Sequence, residues 1–177
     1  MFRLKKSIKN KEKILTDGCV DLTLNTGPGI FNHRVAAVIL QNNRLLAQKN
    51  TKTGTYYLVG GRIRFGESSR EALVREVREE LAITVTDFLP LWINECFFID
   101  EGKKFHEVGM YYLVDIRSTN FNNYETVFKT QEKNRTNTYE WLDITKLDKV
   151  ELYPEFIKEE INHLGKNLKL IITREAE

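Results

Sequence analysis

"GGRIRFGESSREALVREVREELAI", residues 60–83, gathers five glutamates and five arginines behind a pair of glycines. Ser68 followed by Glu71 makes a capping-box pattern, so the spacing predicts a helix from about Ser69 to about Leu81. At about 100° per residue, Leu73, Val74, Val77 and Leu81 share one sector, and Glu76, Glu79 and Glu80 share the sector beside it. Arg75, Arg78 and Glu71 are expected to point elsewhere, with Arg75 still within reach of Glu79 one turn on. Like charges at helical spacing cost a few tenths of a kcal/mol per pair, and more where water is excluded, so the ridge calls for a cation. Oxygen ligands of this kind suit Mg²⁺ or Mn²⁺, which bind carboxylates and phosphates together. The bland alternative is a solvated helix face stitched by Arg–Glu pairs.

Working outward, "HRVAAVILQNNRLLAQK" gives two apolar runs around Gln41-Asn42-Asn43-Arg44, a hairpin whose first strand is buried. A short strand precedes it in "GCVDLTLNTGPG", and further strands are expected in "TYYLVGG", "FLPLWINECFFI", "HEVGMYYLVDI" and "TYEWLDI". In "YPEFIKEEINHLG" a second helix places Phe156, Ile157, Ile161 and Leu164 on one face, between Pro154 and Gly165. The final "LKLIIT" reads as a strand or a packed tail. The order predicts one α+β domain, with residues 1–30 as an extension carrying a short strand, 31–165 as the domain proper, and 166–177 as a tail or strand.

Composition narrows the class. The chain has 177 residues, 41% hydrophobic and 29% charged, which suits one globular domain with a core of useful size. A net charge of +2 gives no reason to expect a nucleic-acid partner, although lysines make the first residues locally basic. Cys19 and Cys96 are too few for a disulfide framework and match no metal-ligand spacing, which suits a reducing cytoplasm. His33, His106 and His163 form no zinc pattern. No apolar stretch is long enough to span a bilayer, so no membrane partner is expected.

Written out as Gly61, Glu67, Arg75-Glu76-Val77-Arg78-Glu79-Glu80, Ala82 and Ile83, the segment resembles the signature box of the Nudix hydrolases, with every polar position matched. "HRVAAVIL", "YYLVGG" and "YEWLDITKL" resemble further landmarks of that family, in the same order. Two positions depart from its pattern: Ala82 stands where glycine is usual, and Val59 where proline often precedes the glycines. The resemblance implies a mixed sheet sandwiched between helices (α/β/α). It also implies Mg²⁺-dependent hydrolysis of a nucleoside diphosphate linked to another group, by attack of water at phosphorus. In that scheme Glu76, Glu79 and Glu80 hold the metal with the Gly61 carbonyl, and Glu67 orients the array. Arg75 fixes a glutamate, and Glu76 or Glu79 takes the proton. Glu140 assists as ligand or base, as a glutamate at this place does in some relatives.

Substrate contacts must come from outside the box. Tyr56, Tyr57, Phe98, Phe105 and Tyr111 could stack on a base or belong to the core, and His106 and Glu107 open a strand near the expected cleft. Of these, Tyr57 and Glu107 are the candidates for substrate binding. Two rival readings stand beside hydrolysis of a small nucleotide: a binding module of the same fold that cleaves nothing, and an RNA-end pyrophosphohydrolase using the basic arm. Many relatives pair as homodimers, but no stretch specifies an interface.

Overall fold

A computed structural model describes residues 20–132, 134–165 and 167–174. The basic arm of residues 1–16 and Cys19 lie outside the described residues. The organising strand is β2 (Ile30–Gln41), which pairs in parallel with β7 (Lys103–Val114) from Ile30 opposite Phe105 to Ile39 opposite Val114. Its other edge takes β1 (Thr23–Asn25), then β5 (Val59–Arg62), both antiparallel, and finally β3 (Arg44–Lys49) through a tight hairpin. That hairpin turns on Asn42 and Asn43, both left-handed at φ 49° and 59°, a conformation asparagine tolerates better than most residues.

Beyond β7 lie β6 (Phe88–Asp100), antiparallel, and β11 (Lys169–Arg174), parallel to β6. On the other flank, β3 pairs with β9 (Arg135–Asp143) and with β4 (Tyr56–Tyr57); β4 then pairs with β10 (Leu152–Tyr153), and β9 with β8 (Val127–Glu132). The sheet is mixed and the class α+β, as expected.

Two cores explain why "VAAVIL" reads as an unbroken apolar run: β2 is covered on both faces. Val35, Ala37 and Ile39 face one core, shared with Leu73, Val77 and Leu81 of α1 (Ser69–Leu81). Val38 faces the other, shared with Ile157 of α2 (Phe156–Glu160), Ile161 of the following 3₁₀ turn, and Leu147 of an earlier one. No helix among the described residues is long and apolar enough to cross a membrane.

Two readings change here, and a third is narrowed to one of its two alternatives. The second helix is a single α turn running into a 3₁₀ turn; Ile157 and Ile161 are buried, but Leu164 is 36% exposed, so burial supports the helix for little more than one turn. β8 was not expected, because half of its side chains are exposed and only Phe128 is buried, and its pairing with β9 supplies what its pattern does not. "LKLIIT" is a strand, fixed by its parallel ladder with β6.

Candidate active site

The loop from β5 into α1 and the first three turns of that helix build the site. Ser68 caps the helix: its hydroxyl accepts from the Glu71 N–H at 3.3 Å, and the Glu71 carboxylate accepts from the Ser68 N–H at 2.9 Å. At the far end Ala82 is left-handed, φ 58° and ψ 27°, with its N–H donating to the Arg78 carbonyl. Gly60 has φ +146°, and a Cβ there would come within 2.2 Å of the Val35 carbonyl oxygen, so only glycine lets β5 approach β2 this closely. This close approach places the Gly60 N–H 3.0 Å from Glu80 Oε1. At Gly61 a Cβ would lie 2.6 Å from the Glu76 carboxyl carbon, so the missing side chain is the space that carboxylate fills.

Arg75 is the centre of the arrangement. Helical phase predicts that it points away, yet it is buried, at 9% exposure. Its long stem turns the guanidinium under the loop, where it grips Glu67 through two parallel bonds of 2.7 and 2.8 Å and also reaches Glu76 Oε1 and the Arg62 carbonyl. Glu79 lies 3.7 Å from both Arg75 and Arg64. Burial pushes the Glu67 carboxyl upward, but the bonds from Arg75 and from the Arg64 amide outweigh it and hold the group below its ordinary value. Burial also raises Glu76, only partly opposed by Arg75. Glu80 is the extreme: enclosed at 5% exposure, it is pushed up to about 8 by burial, against hydrogen bonds from the Tyr139 hydroxyl at 2.7 Å and from Gly60.

When all are ionised, Glu67, Glu76, Glu79 and Glu80 face the two guanidiniums of Arg75 and Arg64, which leaves an excess of two negative charges. One divalent cation closes that balance, and the donors are all oxygen, so the set fits Mg²⁺ by charge and by hardness. Among the described residues no three acidic, histidine or cysteine side chains are gathered into a cation cage; arginine, tyrosine and backbone donors engage the oxygens instead.

The other sequence candidates separate. Glu140 does not join the glutamate ridge. Tyr139 and Trp141 face the α1 core, so the intervening Glu140 points to the opposite face, where it accepts from the Tyr56 hydroxyl at 2.8 Å and from Lys49 at 3.3 Å. Tyr56 and Tyr111 are core residues. Tyr57 and Glu107 meet in a cleft of about 1060 Å³ over β2, β6 and β7, and Phe98 and Phe105 line it too. Arg62, beside Gly61, lies on the cleft wall and connects it to the box. His106 instead bonds Glu95 at 2.9 Å and stacks on Phe97. Sequence reasoning missed Tyr139, Arg64 and Asn32; only Tyr139 carried a hint, as the residue before Glu140 in a strand whose alternation places one of the pair against α1.

The NUDIX domain family matches residues 31–163. Among curated proteins, the mRNA-decapping enzyme subunit 2 of Saccharomyces cerevisiae is 29% identical over 135 residues, 75% of this chain and 12% of that protein. The CTP pyrophosphohydrolase of Escherichia coli is 45% identical over 56 residues, 29% of this chain and 42% of that protein. The chain thus spans 12% and 42% of the length of these two relatives. Among solved structures, the MutT protein of Bacillus halodurans superposes with a TM-score of 0.59 at 17% identity, covering 82% of this chain and 90% of that one, a likeness of fold.

Proposed function

The chain belongs to the Nudix hydrolase family, and from that premise we propose that it cleaves a diphosphate linkage in a nucleoside diphosphate joined to another group, with Mg²⁺ or Mn²⁺ as cofactor. Glu76, Glu79 and Glu80 would hold the ion together with the Gly61 carbonyl. When bound, it supplies positive charge against the phosphate oxygens and acidifies a water. Arg75 keeps Glu67 and Glu76 in place through the bonds it makes to both. Glu76 or Glu79 accepts the proton of the attacking water. Arg62 and Arg34, on the wall of the cleft, face the substrate's phosphates. Glu140 stands apart from the ridge, where it anchors Tyr56 and Lys49.

The observation that carries this reading is the ridge of carboxylates, Glu80 buried and Glu76 and Glu79 partly so, set against Gly60 and Gly61 with too few cations to balance it when all are ionised. The test is a panel of nucleoside triphosphates, nucleotide sugars, dinucleoside polyphosphates and capped RNA, assayed for phosphate-containing products with Mg²⁺ and then with EDTA. Cleavage of at least one substrate, abolished by the chelator, is expected. A panel left intact under all conditions overturns the reading and favours a module that binds without cleaving.

A further inference from the structure

The sheet ends on one side in an apolar strand with an open edge. Among the described residues β11 pairs with β6 alone, so backbone groups on its outer side have no strand beside them. Asn94 shows which groups these are. From β6 its buried Nδ2 donates to the Ile171 carbonyl at 3.3 Å, so Ile171 turns its N–H and C=O inward. Alternate residues of an extended strand turn theirs the opposite way, and Leu170 and Ile172 therefore present N–H and C=O at the free edge. Their side chains are bare as well, at 69% and 59% exposure, whereas Ile171 packs against the core that holds Trp92.

Free edges are ordinarily blunted by proline, a bulge or charge. β8, also six residues long with one partner, shows Lys129 and Gln131 among its exposed side chains. β11 has no proline, and its ladder with β6 runs without a register shift. Its charges stand only at the two ends: Lys169 is held by Glu160 at 2.6 Å, and Arg174 lies over the Phe97 ring. The centre, residues 170–173, is Leu-Ile-Ile-Thr.

Such an edge fits an extended strand with apolar residues at alternate positions and no cation opposite Lys169 or Arg174. β11 is itself a strand of that kind. An antiparallel copy related by a two-fold axis at Ile171, normal to the sheet, sets Leu170 opposite Ile172 of the partner subunit and Ile172 opposite Leu170 of the partner subunit. Each of these pairs joins outward-facing backbone groups, and so exchanges both hydrogen bonds of a ladder pair while burying apolar side chains against each other. Lys169 then falls opposite Thr173 of the partner subunit, away from any cation. A slip of one residue would send facing side chains to opposite sides of the sheet.

We propose that β11 pairs with β11 of a second copy of this chain, joining the two sheets into one across that axis. Nothing in this pairing depends on the hydrolase reading. Thr173 and Arg174 of the same strand line the cleft, so the second copy also braces one of its walls. A ladder of this length makes a small interface, and the dimer is accordingly concentration-dependent.

Sedimentation velocity on the full chain, from micromolar to near-millimolar concentration, tests the pairing. The wild type should shift from the mass of one chain to that of two. Ile172→Pro removes an outward N–H and leaves the inward groups of Ile171 and Thr173 to β6, so it should fold and weaken the dimer at least about ten-fold. Ile172→Lys keeps the backbone and removes both apolar pairs, and should weaken the dimer several-fold. Circular dichroism checks the fold of each variant, and if Ile172→Pro does not fold, Ile172→Lys decides. A wild type that stays a single chain at the highest concentration overturns the proposal, as does a dimer that the folded variants leave unchanged, since it would lie on another face.

Discussion

Replacing Glu80 by glutamine separates the energetic cost of the carboxylate ridge from its use. In the metal-free protein Glu80 is pushed up to about 8 by burial, whereas in the unfolded chain it titrates near 4.5. The folded state therefore keeps a proton that the unfolded state releases. Stability is unaffected below the unfolded value and falls steadily as pH rises toward 8. At pH 7 the penalty is about 3 kcal/mol, from roughly 1.4 kcal/mol for each pH step above the unfolded value. Glutamine has the same shape, keeps its oxygen toward the Gly60 N–H, turns its amino group toward the Tyr139 oxygen, and cannot ionise. Urea unfolding in EDTA should thus show the variant up to about 3 kcal/mol more stable than the wild type at pH 7, and nearly equal to it at pH 4. With Mg²⁺ the order should narrow or reverse, because only the wild type recovers the lost stability through binding. Turnover should drop on the order of 10²-fold or more. A variant whose stability tracks the wild type at both pH values would falsify the buried-charge argument, and an undiminished kcat would remove Glu80 from the site.

Other substitutions probe the frame around the ridge. Ala82→Gly should stabilise by about 1 kcal/mol, since φ 58° costs alanine and not glycine, and should leave kcat alone; differential scanning calorimetry measures the first and steady-state kinetics the second. Gly61→Ala would drive its new methyl into the Glu76 carboxyl group, the movable end of a side chain, so Tm should shift little while turnover falls at least about ten-fold. Gly60→Ala meets fixed backbone at 2.2 Å with φ +146°, and here the loss should appear as unfolding, visible by circular dichroism before any assay. Arg75→Met leaves Glu67 and Glu76 without their partner and should cost about 3 to 5 kcal/mol at pH 7, with part of the loss regained at a pH low enough to protonate both.

Local information reached far in this chain. The cap at Ser68, the helix from Ser69 to Leu81 and the turn at Asn42-Asn43 are legible because each depends on residues within a few positions of one another. The same holds for the ridge of Glu76, Glu79 and Glu80, whose common face follows from helical period alone. Periodicity, however, reports which way a Cβ points and not where a long side chain ends. Arg75 illustrates the limit: its Cβ phase says solvent, and its guanidinium sits beneath the loop at the centre of four hydrogen-bonded contacts.

Tertiary structure decided the rest through register. Glu140 precedes a tryptophan in a strand, and no local rule says which face of the sheet takes it; pairing with β3 turns it toward Tyr56 and Lys49, and turns Tyr139 toward Glu80. Asn32 and Glu107 lie far apart in the chain, and the parallel ladder of β2 and β7 alone sets them opposite one another. Helical period alone gathers Glu76, Glu79 and Glu80 along α1, because the acid groups share one helix. Which surface that chemistry faces was decided by strand pairing, since a shift of one residue in register would have moved each of these side chains to the other side.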